Sequence, residues 1–347
     1  MPEPFDPRDM SPEALGARAE GLGVEPVAAR RLLAAVVGRG VTDRAAWGRE
    51  HQVPRRLSDQ VVDLPHLSLE TTITSKIDGF QKLLFRAADG LAVETVLIPL
   101  HKPGAVSVCL SSQVGCAMAC AFCATARMPA RRNLRTWEIV DQWSQAREVA
   151  RSQGRRVTGA VFMGMGEPFL NYDRTLAAAE VLRCPWGGSL AAKAITISTV
   201  GLVPEIDRFT AEGRRFRLSI SLGAATDEGR ARLVPVAART PVAQVMAAAR
   251  RHALGRKERV MLSYVCIGGE NVDEADARAL GDLIGGTPVR LDLIDVTDPS
   301  GRFRPPTADE MSAFRDALTR HLGQPVVRRY SGGADIQAAC GTLEGAV

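Results

Sequence analysis

Strand-like and helix-like segments alternate along the chain from about residue 105 onward. Runs of β-branched and aliphatic residues predict strands, and each run precedes a segment whose apolar residues recur at helical spacing. The predicted strands are residues 106–110, 157–163, 194–199, 216–222, 260–267 and 289–296. The predicted helices are residues 136–151, 173–183, 203–212, 241–254, 273–284 and 307–322. Six strand–helix units in this order indicate a parallel sheet with right-handed crossovers.

This pattern predicts an α/β fold whose units are too few to close an eight-stranded barrel. We therefore expect a partial (β/α)6 barrel over residues 105–347, with its chemistry at the carboxyl ends of the strands. Residues 1–66 predict a small helical domain, which begins with Ser11 as the N-cap of its first helix. Residues 67–104 predict a β-hairpin extension, because strand-like residues 80–86 and 91–99 flank an Asp-Gly turn.

Composition and charge indicate a globular protein without a disulfide framework or a membrane span. The chain has 347 residues, 46% of them hydrophobic, so it can bury a sizeable core. Its seven cysteines are an odd number and do not indicate a disulfide framework. No leader-like apolar region follows the start, and no stretch approaches the ~20 apolar residues of a membrane span, so we expect a cytoplasmic protein without a membrane partner. The net charge of +5 and the recurring arginine pairs fit either an anionic partner such as nucleic acid or a solvated arginine-rich surface.

Three clustered cysteines are the most informative motif of the chain. Cys116, Cys120 and Cys123 have the spacing C-x3-C-x2-C. Three thiolates from one loop can bind three irons of a [4Fe-4S] cluster, whose usual complement is four cysteines, and the fourth iron then stays open. An open iron that chelates S-adenosylmethionine (SAM) is the signature of radical SAM enzymes. The alternative is a zinc loop, but zinc sites favour paired cysteines and four ligands, and the nearest histidine is His101.

Further candidate residues follow the predicted strands. The run Met-Gly-Met-Gly-Glu-Pro comes after the second strand, and its glycines would let the backbone at Gly166 and Glu167 approach the amino group of a nucleotide cofactor. Ser198 and Ser221 end the third and fourth strands and could hydrogen-bond a ribose or a carboxylate. Each of these residues has a plain alternative, as part of a turn or as a helix cap.

Four cysteines lie outside the clustered motif. Cys184 and Cys266 have no motif around them, and we expect them to be core or surface residues. Cys109 shortly precedes the cluster, and Cys340 lies in a glycine-rich tail close to Asp335. The sequence does not show whether Cys109 and Cys340 meet in space.

Taken together, these residues resemble the RlmN/Cfr family of radical SAM RNA methyltransferases, and the resemblance covers nearly the whole chain. Its markers are Cys-x-Ser-Ser-Gln-Val-Gly-Cys at 109–116, Gly-Met-Gly-Glu-Pro at 164–168 and Ala-Asp-Ile-x-Ala-Ala-Cys-Gly at 334–341. The resemblance implies an enzyme that methylates an adenine ring carbon in RNA, at carbon 2 rather than carbon 8. It implies 23S rRNA as the substrate, with tRNA as a further candidate.

The resemblance also implies roles for individual residues. One SAM molecule would methylate Cys340, and a second would yield a 5'-deoxyadenosyl radical that takes a hydrogen from that methyl group. The methylene radical would add to adenine, Cys109 would release the adduct by forming a disulfide with Cys340, and Glu94 would accept a proton. Without the resemblance, Glu94 would be interpreted as a surface strand glutamate. The residues implied to contact the cofactor are Gly166, Glu167, Ser198, Ser221, Leu222, Gly223 and Thr297.

Partners follow from the same resemblance. Residues 1–66 resemble the RNA-engaging accessory domain of the family, and Arg131 and Arg132 after the cysteine loop are candidates for phosphate contacts. A reductant such as flavodoxin or ferredoxin would supply electrons to the cluster, and the protein is expected to be a monomer.

The chain departs from the family pattern at two cofactor positions. Gly223 stands where the family usually has histidine, and Thr297 stands where it has asparagine. Two other functions remain open: a radical SAM methylase of a small molecule, and a non-catalytic RNA-binding paralogue with a structural cluster. The accessory domain argues against the first, and the presence of both Cys109 and Cys340 argues against the second.

Overall fold

A ten-stranded mixed sheet organises the protein, as seen in a computed structural model that describes residues 3–129 and 131–345. In chain order the strands are β1 (Ser68–Thr74), β2 (Gln81–Arg86), β3 (Ala92–Pro99), β4 (Ala105–Cys109), β5 (Gln113–Val114), β6 (Arg132–Asn133), β7 (Arg156–Phe162), β8 (Ile195–Thr199), β9 (Arg217–Ser221), β10 (Val260–Cys266), β11 (Val289–Asp295) and β12 (Val326–Arg329). The large sheet has the order β1-β2-β3-β4-β7-β8-β9-β10-β11-β12, and β5 pairs with β6 in a separate two-stranded ribbon.

The helices cover the parallel part of the sheet and form the amino-terminal domain. They are α1 (Pro12–Gly21), α2 (Pro26–Leu33), α3 (Arg44–Arg49), α4 (Arg55–Ser58), α5 (Ala124–Arg127), α6 (Thr136–Ser152), α7 (Tyr172–Arg183), α8 (Val203–Ala211), α9 (Asp227–Leu233), α10 (Val242–Arg256), α11 (Glu274–Ile284) and α12 (Ala308–His321). Ser11 caps α1 by accepting from the amide of Ala14 at 3.2 Å, as the sequence predicts. Within the described residues, no helix is long and apolar enough to cross a membrane.

Strand pairing confirms the partial α/β barrel and corrects its strand count. Strands β4 and β7 to β12 are parallel, so the described barrel has seven parallel strands rather than the six predicted. The missed strand, β12, has four residues and follows α12. Its short Val-Val-Arg-Arg sequence is partly exposed, so it lacks the apolar run that marks the other strands.

The predicted hairpin is one part of a larger antiparallel segment. Strands β2 and β3 pair as expected, but β1 adds a third strand and β3 pairs antiparallel with β4. The segment is therefore continuous with the barrel sheet. Strand β1 is mostly exposed and rich in threonine, which explains why its sequence did not stand out.

The amino-terminal helices pack on the outside of the barrel, against α6 and α7. The buried Arg8 side chain donates to Asp141 of α6 at 3.1 Å, and Arg147 of α6 donates to the carbonyl of Val37 at 2.7 Å. The Arg30 guanidinium lies 4.8 Å from the ring centroid of Trp186, which follows α7. Apolar residues of both parts belong to one continuous core, so this domain and the barrel are packed together.

Candidate active site

Loops at the carboxyl ends of the parallel strands surround a cavity of about 140 Å³. This is the end of the sheet where α/β barrels carry their chemistry. The cavity is lined by residues from five strand ends, the cysteine loop and the carboxyl-terminal tail. Its lining includes Phe122, Gly166, Glu167, Ser198, Ser221, Ser263, Thr297 and Cys340.

The cysteine loop follows β4 and is held in place by two distant segments. The amide of Ala121 donates to the carbonyl of Leu233 at the end of α9, at 2.9 Å. The amide of Ala124 donates to the carbonyl of Gly341 in the tail, at 2.7 Å. Ala119 adopts a left-handed conformation with φ 53°, which turns the backbone between the first two cysteines.

The three loop thiols share one partly buried environment. Burial raises the pKa of Cys116 to about 12 and also raises the pKa values of Cys120 and Cys123. The neighbouring thiols of Cys123 and Cys116 raise the pKa of Cys120 further. Crowded thiols in this environment stay protonated until a metal displaces the protons.

This donor set consists of cysteine thiols, which are the ligands that iron–sulfur clusters use. Among the described residues, no three histidine, cysteine, aspartate or glutamate side chains are arranged to hold one ion. A [4Fe-4S] cluster needs one thiolate for each of three irons rather than three thiolates on one metal. The cysteine loop supplies these three sulfurs beside a cavity large enough to admit part of a ligand.

The Gly-Met-Gly-Glu-Pro loop packs tightly against the start of the cysteine loop. A Cβ on Gly166, which has φ 98°, would lie 2.5 Å from the Cβ of Gln113. A Cβ on Gly164 would lie 2.8 Å from the backbone of Leu110. Both glycines are therefore required by protein packing, and the sequence-based explanation through ligand approach is incomplete.

Glu167 joins two loops of the cavity rim through its carboxylate. Its Oε1 accepts from the amide of Phe169 at 2.9 Å, and its Oε2 accepts from the amide of Val200 at 2.9 Å. Burial raises the pKa of Glu167 to about 7, while these amides favour the charged form. The carboxylate is thus engaged within the protein, and the backbone of this residue is the part that faces a ligand most readily.

The remaining cofactor candidates separate into two groups. Ser198, Ser221 and Thr297 line the cavity, as expected for residues at strand ends. Leu222 is fully buried and Gly223 adjoins it, and neither lines the cavity.

The structure brings Cys109 and Cys340 together, which the sequence could not show. Both line a second cavity of about 50 Å³, with Met163, Arg329 and Leu343 also in its wall. Cys340 lines the larger cavity as well, so it lies between the two. All seven cysteines are free thiols in the described residues.

Glu94 is buried rather than exposed, so its interpretation as a surface strand glutamate is wrong. Its side chain has no exposed area, and its carboxylate lies 3.0 Å from the Nζ of the equally buried Lys82. Its Oε2 accepts from the amides of Glu344 and Gly345 at 2.8 and 3.1 Å. Burial raises the pKa of Glu94, and the charge of Lys82 opposes that effect.

Several residues that position the tail were missed in the sequence. Asp78, in the β1–β2 turn, accepts from the hydroxyl of Tyr330 and the amide of Gly333, both at 2.8 Å. The Ser331 hydroxyl accepts from the amide of Cys340 at 2.9 Å. The glycine-rich composition of the tail was the only sequence signal that the tail is held in a defined position. The contacts of Asp78 join residues more than 250 positions apart in the chain, so no local pattern reveals them.

Comparisons with known proteins bear on this site. The sequence profile described as Radical SAM superfamily matches residues 110–280. The chain is 45% identical over 339 residues to a "Probable RNA methyltransferase" of Myxococcus xanthus (strain DK1622), covering 97% of this chain and 93% of the relative. It is 38% identical over 344 residues to the "Dual-specificity RNA methyltransferase RlmN" of Syntrophotalea carbinolica, covering 98% of this chain and 90% of the relative. A crystal structure of a radical SAM methyltransferase from Sphaerobacter thermophilus superposes with a TM-score of 0.89 at 36% identity, covering 99% of this chain and 100% of that one.

The chain belongs to the RlmN/Cfr family of radical SAM RNA methyltransferases. Membership of this family implies a [4Fe-4S] cluster and SAM as cofactors. The resemblance noted in the sequence is therefore confirmed, and the protein is an enzyme.

The backbone conformation at Gly223 favours glycine over the histidine that the RlmN/Cfr pattern usually has at this position. This residue has φ 75°, which favours glycine, and an added Cβ would lie 3.0 Å from the Cγ2 of Val234. A histidine would be strained in this conformation. Glycine is therefore the residue that suits this backbone conformation.

Arg132 has a structural partner set in this RlmN/Cfr member. Its guanidinium contacts Asp89 at 2.5 Å and Glu138 at 2.8 Å. Arg131 is exposed and has no ion-pair partner among the described residues. Of the two arginines expected to contact phosphate, Arg131 is therefore the one whose charge is available.

Proposed function

We propose that this enzyme methylates an adenine ring carbon in RNA, at carbon 2 in preference to carbon 8, through a methylated Cys340. The substrate is 23S rRNA, with tRNA as a second candidate. The observation that supports this proposal most directly is the position of Cys340. It lines both the cavity that would hold the cofactor and the small cavity that contains Cys109.

The cofactors would be held by residues of the larger cavity. Cys116, Cys120 and Cys123 would ligate the cluster, while the loop at Gly166 and the side chains of Ser198 and Thr297 would contact SAM. When bound, the cluster and two SAM molecules per turnover would supply a methyl group and the one-electron chemistry that activates it. The relatives from Myxococcus xanthus and Syntrophotalea carbinolica are named as RNA methyltransferases, which supports RNA over a small-molecule substrate.

The cysteine pair accounts for the covalent chemistry of the proposal. Cys340 carries the methyl group and forms the bond to adenine. Cys109, in the same small cavity, then attacks the sulfur of Cys340 and leaves a disulfide. A non-catalytic RNA-binding protein would have no use for two thiols in this arrangement.

Glu94 is proposed as the proton acceptor, and its contacts set a condition on that role. In the resting protein its Oε2 is occupied by the amides of Glu344 and Gly345. It lines neither cavity, so the tail must shift before Glu94 reaches a substrate. Burial raises its pKa, which makes the carboxylate a stronger base.

RNA would reach the site past the amino-terminal domain and the cysteine loop. We propose residues 1–66 as the RNA-engaging accessory domain and Arg131 as a phosphate contact. The enzyme would act as a cytoplasmic monomer and receive electrons from flavodoxin or ferredoxin.

The test is mass spectrometry of nucleosides from rRNA and tRNA of cells with and without the gene. We expect a methyladenosine to disappear on deletion and to return with the wild-type gene but not with Cys340→Ala. The position of the lost mark gives both the RNA and the ring carbon. Unchanged RNA in the deletion strain, together with methyl transfer to a small molecule in extracts, would refute the RNA assignment.

A further inference from the structure

Arg329 extends from β12 into the interior of the open barrel. It is in register with Ile294 of β11, so the two residues share a face of the sheet. Its Nη1 lies 3.2 Å from the Sδ of Met163, which follows β7 on the far side of the barrel. The guanidinium therefore spans the interior and forms part of the wall of the 50 Å³ cavity beside Cys109 and Cys340.

The neighbouring Arg328 faces the opposite side of the sheet and is neutralised there. Its Nη2 lies 2.6 Å from the Oδ2 of Asp295. Arg329, in contrast, has no carboxylate within ion-pair distance among the described residues. A thioether is only a weak hydrogen-bond acceptor, so the positive charge of Arg329 is left for another group in the cavity.

The thiol of Cys109 has an environment that disfavours its ionisation. It is 7% exposed and packs among Phe80, Val96 and Leu343. Burial raises its pKa to about 12, and the thiol of Cys340 raises the pKa further. Arg329 and a hydrogen bond from the backbone of Met163 act in the opposite direction.

Few other charged or titratable groups face this cavity. Tyr330 lines it, with its hydroxyl donating to Asp78. Lys82 and Glu94 lie on the adjoining strands β2 and β3 and form a neutral pair with each other. Among the described residues that line this cavity, Arg329 is the cation beside Cys109 and Cys340.

We propose that Arg329 is a positioning residue whose guanidinium stabilises the thiolate of Cys109 for attack on Cys340. This inference rests on the proposed function. In that step the Cys109 thiolate forms a bond to the sulfur of Cys340, and the bond from that sulfur to the methylene carbon breaks. The electron pair of the broken bond leaves with the carbon, which takes a proton and becomes the new methyl group.

The experiment measures ionisation of Cys109 in the reconstituted resting enzyme, without RNA. Methyl methanethiosulfonate, a small thiolate-selective reagent, is applied over a range of pH, and mass spectrometry follows labelling at Cys109. Arg329→Gln should slow labelling at neutral pH on the order of tenfold and move the profile to higher pH, because loss of a nearby cation raises a thiol pKa. Arg329→Lys should restore most of the rate, and Arg328→Gln, on the same strand, should match the wild type.

Iron content and thermal unfolding show that the variants are folded and loaded. A wild-type labelling profile for Arg329→Gln would overturn the proposal, and weaker RNA binding alongside that profile would assign Arg329 to a phosphate contact instead. Because labelling requires no RNA, a shifted profile for Arg329→Gln beside a wild-type enzyme that does not methylate RNA would refute the proposed function while leaving the effect of Arg329 on Cys109 intact.

Discussion

The buried pair of Lys82 and Glu94 allows a sharp test of what holds the tail in place. Lys82→Met keeps the length of the side chain but leaves the Glu94 carboxylate without its cation in a fully buried site. Breaking a buried pair from one side costs about 3–5 kcal/mol, which for a chain of this length corresponds to a fall in Tm of roughly 4–7 °C. We expect this loss at neutral pH in thermal unfolding of the reconstituted protein under anaerobic conditions.

The same variant should show a defined pH dependence. Burial already raises the pKa of Glu94 above its ordinary value of 4.5, and removal of Lys82 raises it further. A carboxyl group whose pKa is raised by folding stabilises the folded state below the ordinary value, and this contribution is lost as the pH rises through the raised value. The difference between Lys82→Met and wild type should therefore shrink on acidification.

Two further variants provide controls. Arg86, also on β2, pairs with Glu70 on the surface, so Arg86→Met should leave the Tm nearly unchanged. The double variant Lys82→Met/Glu94→Leu should recover most of the loss, because no buried charge remains. Equal losses in the single and double variants, or a loss that does not vary with pH, would refute the electrostatic reasoning.

Three other predictions concern the chemistry and the substrate. Cys123→Ala should lose the brown absorbance and most of the iron of anaerobically purified protein, and full absorbance in this variant would reject the cysteine loop as the cluster site. Cys109→Ala should stall after the bond between Cys340 and adenine has formed, so the variant purified from cells should carry covalently attached RNA. A gel shift that survives denaturation detects this adduct. Normal turnover of the variant would remove Cys109 from the mechanism. Arg131→Ala should lower RNA affinity and reduce the slope of log affinity against log salt concentration by about 0.7. Arg132→Ala should mainly lower the stability of the fold, because Asp89 and Glu138 lose their cation. Identical salt slopes for wild type and Arg131→Ala would exclude that phosphate contact.

The parts of the fold that the sequence predicted share a strong apolar pattern. Strands such as β4 and β8 are buried along their whole length and are rich in β-branched and small apolar residues, so their existence and order followed directly. Strands β1 and β12 escaped because their residues are largely exposed. The three candidate cluster ligands could be proposed from the sequence because Cys116, Cys120 and Cys123 lie within eight residues of one another in the chain.

Other features of the site depend on contacts that no local pattern encodes. Without the family resemblance, Glu94 would have been expected at the surface, because a charged residue in a strand usually faces solvent; in the structure most of β3 is buried, and Lys82 of β2 pairs with the Glu94 carboxylate. The meeting of Cys109 with Cys340 depends on a tail held by Asp78 and Ser331, and spacing along the chain gives no information about it.

The tail contacts also have a consequence for the order of assembly. The hydroxyl of Thr125 donates to the carbonyl of Leu343 across 218 positions of sequence, and the amide of Glu344 donates to Glu94 across 250. Contacts between residues so far apart form late in folding, because the entropy of closing a long loop opposes them until the rest is built. We therefore expect the cysteine loop to remain uncovered while the barrel folds, which leaves an interval in which iron and sulfide can be delivered before the tail docks over it.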